Sequence, residues 1–93
     1  MKTFKWDPEK NDRLKANRQI CFEDIVFNIE QGNISDIIEN PNQKQYKGQK
    51  IYLVEINRYV YMVPYFEDTE ANYLITIIPS RKITKKYLGV KNG

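Results

Sequence analysis

The sequence contains no histidine and a single cysteine, Cys21, among its 93 residues. Without histidine there is no Ser-His-Asp or Cys-His arrangement, and the usual general base of neutral-pH catalysis is missing. One cysteine forms no intrachain disulfide and supplies no ligand set for zinc, so we expect neither a metal site nor a cofactor. The composition therefore argues against a conventional hydrolase or metalloenzyme, and Cys21 is interpreted as a helix-start or core residue.

Long apolar runs are missing as well. No stretch approaches the roughly 20 apolar residues that span a bilayer, and the opening residues, MKTFKWDPEKN, lack the apolar core of a secretion signal. We therefore expect a cytoplasmic protein without a membrane partner. The four glycines are scattered, without the spacing of a phosphate-binding loop. The length is that of one domain, predicted to occupy residues 1–93.

Charge is distributed unevenly along the chain, although the net charge is only +3. Residues 21–43 contain five acids and no base, and no carboxylate follows Glu70. The bases concentrate at the two ends, as Lys2, Lys5, Lys10, Arg13, Lys15 and Arg18 at one and Arg81, Lys82, Lys85, Lys86 and Lys91 at the other. If the two ends meet in space, they form one positive surface, and a phosphate backbone is the commonest partner of such a surface. The alternative is an ordinary solvated exterior.

The pattern of apolar residues predicts an α+β fold. Phe22, Ile25, Val26 and Ile29 follow the i, i+3, i+4, i+7 spacing of a buried helical face. The predicted elements are, in order, a strand in TFKW, a helix in PEKNDRLKANR capped by Asp7, a helix in CFEDIVFNIEQG, a strand in ISDIIEN, strands in KIYLVEI and YVYMVPYF joined at Asn57-Arg58, a last strand in YLITIIPS and a short helix from Thr84 to Leu88.

This order, β-α-α-β-β-β-β-α, predicts a small antiparallel sheet with the helices packed on one face, because hairpins rather than helical crossovers join the later strands. Pro64 cannot donate to a sheet ladder, so we expect a bulge or an edge strand at that residue.

A site built from Arg and Lys suits phosphodiester chemistry on RNA, because the substrate supplies its own nucleophile, the ribose 2′-hydroxyl. Cationic groups then stabilise the charge on the phosphoryl oxygens. Arg81 is the best single candidate, since its planar fork can grip a phosphate in a bidentate manner. We expect catalytic roles for Arg81, Lys10, Lys82 and Arg18, and RNA-binding roles for Arg13, Lys15, Lys85 and Lys86.

Three stretches, FKWDPEKN at 4–11, FED at 22–24 and IIPSRKIT at 77–84, resemble the BrnT family of toxins from bacterial type II toxin–antitoxin modules. The resemblance implies a RelE-like fold, a metal-independent ribonuclease that inhibits translation, and a cognate BrnA-type antitoxin with a ribbon-helix-helix region. It also implies that operator DNA is contacted mainly through the antitoxin, and that the chain forms a homodimer or a hetero-oligomer with the antitoxin. The matching positions are Trp6, Asp7, Pro8, Lys10, Phe22, Glu23, Arg81, Lys82 and Thr84.

Several positions depart from the family pattern. Arg18 stands where members often have His, Gln19 where they have Gly and Cys21 where they have Ser, and Pro79 replaces a usual Ser. Glu67 and Asp68 stand where many members have Arg. Two alternatives to the ribonuclease interpretation therefore stay open. One is a non-catalytic RNA-binding domain, with bases stacked on Tyr52, Tyr59, Tyr61 or Tyr65; the other is a protein-interaction module with an acidic partner.

Overall fold

The computed structural model describes residues 3–89, which form six strands and three helices. The ends of the predicted domain, residues 1–2 and 90–93 with Lys2 and Lys91, lie outside the described residues. The elements are β1 (Thr3–Lys5), α1 (Pro8–Arg18), α2 (Phe22–Glu30), β2 (Ile34–Glu39), β3 (Lys50–Ile56), β4 (Tyr59–Glu67), β5 (Ala71–Leu74), β6 (Ile78–Pro79) and α3 (Arg81–Leu88). The fold is α+β, with one more strand than predicted.

The six strands form one mixed sheet, so the prediction of a purely antiparallel sheet is wrong. The strand order is β1-β5-β4-β3-β2, and β6 pairs with β4. The strands from β2 to β6 pair antiparallel, whereas β1 pairs parallel with β5. The cause is the connection after β1, which runs through α1 and α2 to the opposite end of the sheet. No hairpin therefore joins β1 to its neighbour, and its direction is not forced to alternate.

The helices cover both faces of the sheet, which corrects the prediction that they share one face. Ile51, Tyr52, Leu53 and Val54 of β3 are buried in succession. Since consecutive side chains of a strand point to opposite faces, both faces must be covered. Tyr52 and Val54 belong to the core beneath α1 and α2, whereas Ile51 and Leu53 pack with residues of α3.

The core beneath α1 and α2 confirms the periodic pattern of the second helix. Phe22 and Ile25 are fully buried, and the half-buried Val26 and Ile29 pack on the same cluster. Trp6 stacks on Phe22 with ring centroids 5.7 Å apart, and thereby joins the start of α1 to the start of α2. The predicted cap of α1 is also present, because Asp7 accepts a hydrogen bond from the Glu9 amide at 3.0 Å.

The third helix begins at Arg81 rather than Thr84, because Ser80 caps it by accepting a hydrogen bond from the Ile83 amide at 3.1 Å. Thr84 faces the sheet and is buried. Its hydroxyl accepts a hydrogen bond from the Val60 amide at 2.9 Å and donates one to the Ser80 carbonyl at 2.6 Å. The last turn is tied to β2 by the Tyr87 hydroxyl, which donates to Asp36 at 3.0 Å. The two ends of α3 are therefore anchored to different strands.

The predicted last strand, YLITIIPS, is divided into β5 and β6 by residues 75–77. Both pieces pair with β4, but the register shifts by one residue, from Leu74 opposite Tyr65 to Ile78 opposite Met62. Between them the Ile75 amide donates to the Pro64 carbonyl at 2.9 Å. Pro64 has no N–H to return, so the ladder breaks at this point.

The expectation for Pro64 is therefore half correct. The irregularity lies opposite this residue, in residues 75–77, rather than within its own strand. The expectation of an edge strand is wrong, because β4 lies between β3 and β5.

Two further features of the sheet are a tight hairpin and an irregular edge strand. The hairpin at Asn57-Arg58 is confirmed, and both residues have left-handed backbones, with φ of 53° and 64°. The second feature is β2, an edge strand with a bulge between Ile34 and Asp36.

The longest helix within residues 3–89 has 11 residues, and none of these helices has the length and apolar character to cross a membrane.

We predict that Thr84→Val destabilises the protein by about 1–3 kcal/mol, because the buried Val60 amide loses its only acceptor within the described residues. Thr84→Ser keeps the hydroxyl and serves as the matched control, with a smaller loss. Urea unfolding of the three proteins measures the difference, and equal stability of the Val and Ser variants would show that the hydrogen bond contributes little.

Candidate functional site

A cationic pocket lies between α1 and the break in the last strand. It has a volume of about 140 Å³ and is lined by Lys10, Arg13, Leu14, Asn17, Arg18 and Thr76. Three of the predicted functional residues, Lys10, Arg13 and Arg18, are therefore brought together. No carboxylate is part of the lining, so the three positive charges are not neutralised within the pocket.

The helical period of α1 explains why these residues converge. At about 100° per residue, the five lining residues of α1 lie within about 140° of the helix circumference. Leu14 lies within this sector, between Lys10 and Arg18 on the helix circumference, and is buried in the core, so it helps to fix the rotation of the helix. The lining side chains on either side of it are consequently held along the flank that faces Thr76.

Arg18 is anchored at the break in the sheet ladder. Its Nη1 donates a hydrogen bond of 2.8 Å to the carbonyl of Ile77, a residue of the linker between β5 and β6. A guanidinium has five N–H donors in a fixed plane, so this bond holds the group while others remain for a ligand. The irregular linker therefore positions one of the pocket's cations.

Asn11 sets the position of α1 against α2. Its side chain is buried; Oδ1 accepts a hydrogen bond from the Phe22 amide at 2.7 Å, and Nδ2 donates to the Glu23 carboxylate at 2.8 Å. The first bond satisfies a free amide at the start of α2. The orientation of the helix that carries the pocket's cations therefore depends on Asn11.

Lys15 is predicted to bind RNA, but it is not part of the pocket lining. It lies near Glu23 of α2, whose pKa is lowered mainly by the hydrogen bond from Asn11 and, to a smaller extent, by the charge of Lys15. Lys15 is exposed, and its charge acts on Glu23 rather than in the pocket. Neither Glu23 nor the two α1 residues that act on it, Asn11 and Lys15, lines the cationic pocket.

The four cations of α3 form a separate, exposed stripe. Arg81, Lys82, Lys85 and Lys86 span about 140° of the helix, while Ile83, Thr84, Tyr87 and Leu88 occupy the side that packs on the sheet. None of the four is among the residues that line the cationic pocket. Arg81 follows Ile77 by four residues, so their Cα atoms lie within about 14 Å of one another. The start of this stripe therefore follows, along the chain, the linker residue whose carbonyl holds Arg18.

The predicted stacking of bases on Tyr52 or Tyr65 is wrong. Both rings are buried and stack on each other, with centroids 4.1 Å apart, and burial raises the pKa of Tyr65 well above its ordinary value. Tyr59 and Tyr61 are half-buried and contact one another at 5.5 Å. The hydroxyl and ring faces of the first pair are not available to a ligand.

The other candidates for chemistry have structural partners. Cys21 precedes α2, as expected, and its thiol donates to the Asp24 carboxylate at 3.2 Å. Partial burial raises the pKa of this thiol, which disfavours the nucleophilic thiolate. Glu67 forms an ion pair with Lys50 at 2.9 Å. Within residues 3–89 no three His, Cys, Asp or Glu side chains are grouped so that they could hold a metal ion.

Two polar residues of the pocket, Asn17 and Thr76, were not predicted from the sequence. Asn17 stands one helical turn after Arg13, so the helical period of α1 was sufficient to place Asn17 on the same side of the helix as Arg13. Thr76 lies in a segment that was predicted to be regular strand, and its exposure follows from the ladder break.

No protein-family model matches the chain, and neither the curated proteins nor the solved structures provide a match.

We predict that Glu23 makes the stability of the protein dependent on pH. Its pKa is below the ordinary 4.5 in the folded state, so its stabilising contribution is present above that pH and is lost as the pH falls through the folded value. Glu23→Gln keeps an acceptor for Asn11 but cannot ionise. The free energy of unfolding in urea should therefore fall less between about pH 5 and pH 3 in this variant than in the wild type.

Glu30→Gln is the matched control, because Glu30 lies on the same helix and makes no hydrogen bond to another side chain within residues 3–89. Parallel pH profiles for the wild type and Glu23→Gln would contradict the prediction.

Proposed function

We propose that the chain is the toxin of a type II toxin–antitoxin module, with a RelE-like fold, and that it inhibits translation in the cytoplasm by metal-independent cleavage of RNA. The observation that carries this proposal is the convergence of Lys10, Arg13 and Arg18 on one pocket without a carboxylate in its lining. The pattern of residues that resembles the BrnT family supports the same conclusion.

The composition of the pocket suits a phosphodiester. Two guanidinium groups can each form paired hydrogen bonds with phosphate oxygens, and Lys10 adds a compact positive charge. Asn17 and Thr76 supply neutral polar groups beside them. A phosphate bound here meets donors on several sides, and these donors become more effective as charge builds up on the phosphoryl oxygens.

The reaction needs no nucleophile from the protein. The ribose 2′-oxygen forms a bond to phosphorus, the bond from phosphorus to the 5′-oxygen breaks, and the products carry a 2′,3′-cyclic phosphate and a 5′-hydroxyl. The proton of the 2′-hydroxyl passes to solvent, since arginine stays protonated and the lining has no carboxylate or imidazole. Lys10 is the lining group that can give a proton to the departing 5′-oxygen.

The exposed stripe on α3 extends the positive surface beyond the pocket. In this proposal Arg81, at the start of the stripe, acts on the scissile phosphate together with Lys82, while Lys85 and Lys86 hold phosphates further along the strand. Contacts of this kind are insensitive to sequence and weaken as salt concentration rises.

A second candidate function is RNA binding without cleavage. It is favoured by the same absence of a general base from the pocket lining, and by the raised pKa of the Cys21 thiol. In this case the cations bind phosphates and the translation machinery is blocked by occupancy alone.

The partners follow from the surface charge. A cationic pocket on the side of α1 and a cationic helix on the other face of the sheet suit acidic segments of an antitoxin, which would neutralise the toxin by covering both. We propose a BrnA-type antitoxin with a ribbon-helix-helix region, which contacts operator DNA while the toxin contributes little to DNA binding. The chain then acts as a homodimer or as a hetero-oligomer with that antitoxin.

We predict that Lys10→Ala and Arg13→Ala each weaken binding of a short single-stranded RNA and make it less sensitive to salt. Each phosphate contact that is lost should lower the slope of log Kd against log salt concentration by about 0.7. Fluorescence anisotropy at several salt concentrations measures this slope. Lys15→Ala is the matched control, since Lys15 is on the same helix but outside the pocket lining, and an equal effect of all three variants would contradict the assignment of the pocket.

We predict that expression of the wild-type chain arrests bacterial growth and that Arg81→Ala relieves the arrest, because the positive charge beside the scissile phosphate is removed. Purified wild-type protein should cleave RNA in the presence of EDTA, and the products should carry 2′,3′-cyclic phosphate ends. Lys44→Ala, an exposed lysine in the loop after β2, is the control. Intact RNA together with growth arrest by Arg81→Ala would refute the enzymatic proposal.

A further inference from the structure

A second pocket lies on the face of the sheet that carries α3. Its volume is about 330 Å³. Tyr46, Pro64, Ile75 and Ile78 form its apolar walls, and Asn40, Gln49 and Thr76 add polar groups. Tyr46 and Ile78 are 39% and 40% exposed, so their apolar surfaces are open to a ligand. The pocket is large enough for a flat ring system and offers it a tyrosine ring.

The polar side of this pocket is held in place by the loop between β2 and β3. Gln49 is buried, and its Oε1 accepts a hydrogen bond from Asn40 Nδ2 at 2.6 Å. Asn40 Oδ1 in turn accepts one from the Asn42 amide at 2.9 Å. The side-chain nitrogen of Gln49, Nε2, makes no hydrogen bond within residues 3–89, whereas its backbone N–H donates to the Tyr46 carbonyl at 3.0 Å. The N–H groups of Nε2 are thus left for a group that enters the pocket, whose lining includes Gln49.

The two pockets adjoin at the break in the sheet ladder. Thr76 is part of the lining of both, with the cationic pocket on the side of α1 and the apolar pocket on the side of α3. A ligand that crosses the sheet edge at Thr76 can place an anionic group among the cations and a flat apolar group beside Tyr46. A nucleotide has this combination of groups.

We propose that the apolar pocket is a nucleobase subsite of the cationic pocket, and that it takes the base of a single-stranded RNA nucleotide whose phosphate contacts Lys10 and Arg13. The base stacks on Tyr46 and packs against Ile78, and an acceptor on its edge receives the free N–H of Gln49. Aromatic stacking and amide contacts to base edges are the usual means by which proteins recognise unpaired bases. This inference rests on the proposed function, because it assumes an RNA ligand.

The surface beside the subsite is compatible with a longer strand. Two residues further along β4 and β5 from Pro64 and Ile75, Phe66 and Tyr73 are paired neighbours on the same face and are 42% and 43% exposed. The ammonium group of Lys5 lies 6.0 Å from the centre of the Tyr73 ring. Exposed aromatic rings beside a cation are typical of single-strand binding surfaces, which favours RNA over an apolar peptide as the occupant.

The test compares a short single-stranded RNA with the same RNA in which one nucleotide is abasic. With the wild-type protein, removal of the base in the subsite should weaken binding about tenfold, on the order of one base stack. With Tyr46→Ala the intact RNA should bind about as weakly as the abasic RNA does to the wild type, and the abasic site should have little further effect. Tyr46→Phe keeps the ring and should behave as the wild type, and Ile78→Ala provides a second probe of the same walls.

The outcomes separate this inference from the function on which it rests. If RNA binding requires Arg13 but is unchanged by the abasic site and by Tyr46→Ala, the nucleobase subsite is refuted and the phosphate site stands. If the wild type binds no RNA at any salt concentration, both proposals fail. Circular dichroism of each variant confirms that it is folded.

Discussion

The missing N–H of Pro64 is the constraint on which the proposed site depends. Pro64 stands in the middle of a central strand, and its carbonyl accepts the Ile75 amide without returning a hydrogen bond. The last strand consequently breaks, and residues 75–77 leave the ladder. The freed Ile77 carbonyl holds Arg18, and Thr76 becomes a wall of two pockets. The missing N–H of Pro64 thus accounts for the irregular linker at residues 75–77 and for the carbonyl that binds Arg18.

The sequence was sufficient to predict the elements whose residues repeat with a clear period. The buried face of α2, the Asp7 cap of α1 and the Asn57-Arg58 hairpin were each predicted from local chemistry and are confirmed. The placement of α3 was not predicted, although the four consecutive apolar residues of β3 indicated a sheet covered on both faces. The parallel pairing of β1 was inaccessible, because it depends on where a long connection ends rather than on any local pattern.

The residues of the candidate site divide in the same way, into those that local sequence predicts and those that only the folded structure locates. The helical period of α1 groups Lys10, Arg13 and Arg18, and so their convergence follows from local sequence. Lys15 was assigned to the same group because charge alone does not distinguish one flank of a helix from another. The buried hydrogen bonds of Asn11 settle the rotation of α1, and such bonds join residues that only the folded chain brings together.

The bulge in β2 has a consequence for the behaviour of the molecule at high concentration. As an edge strand, β2 presents unpaired backbone groups that a second chain could extend into a continuous sheet. The bulge between Ile34 and Asp36 distorts that edge, and the carboxylates of Asp36 and Glu39 give it negative charge. Irregular geometry and negative charge are features that disfavour association at such an edge, and here they stand beside the exposed Ile37.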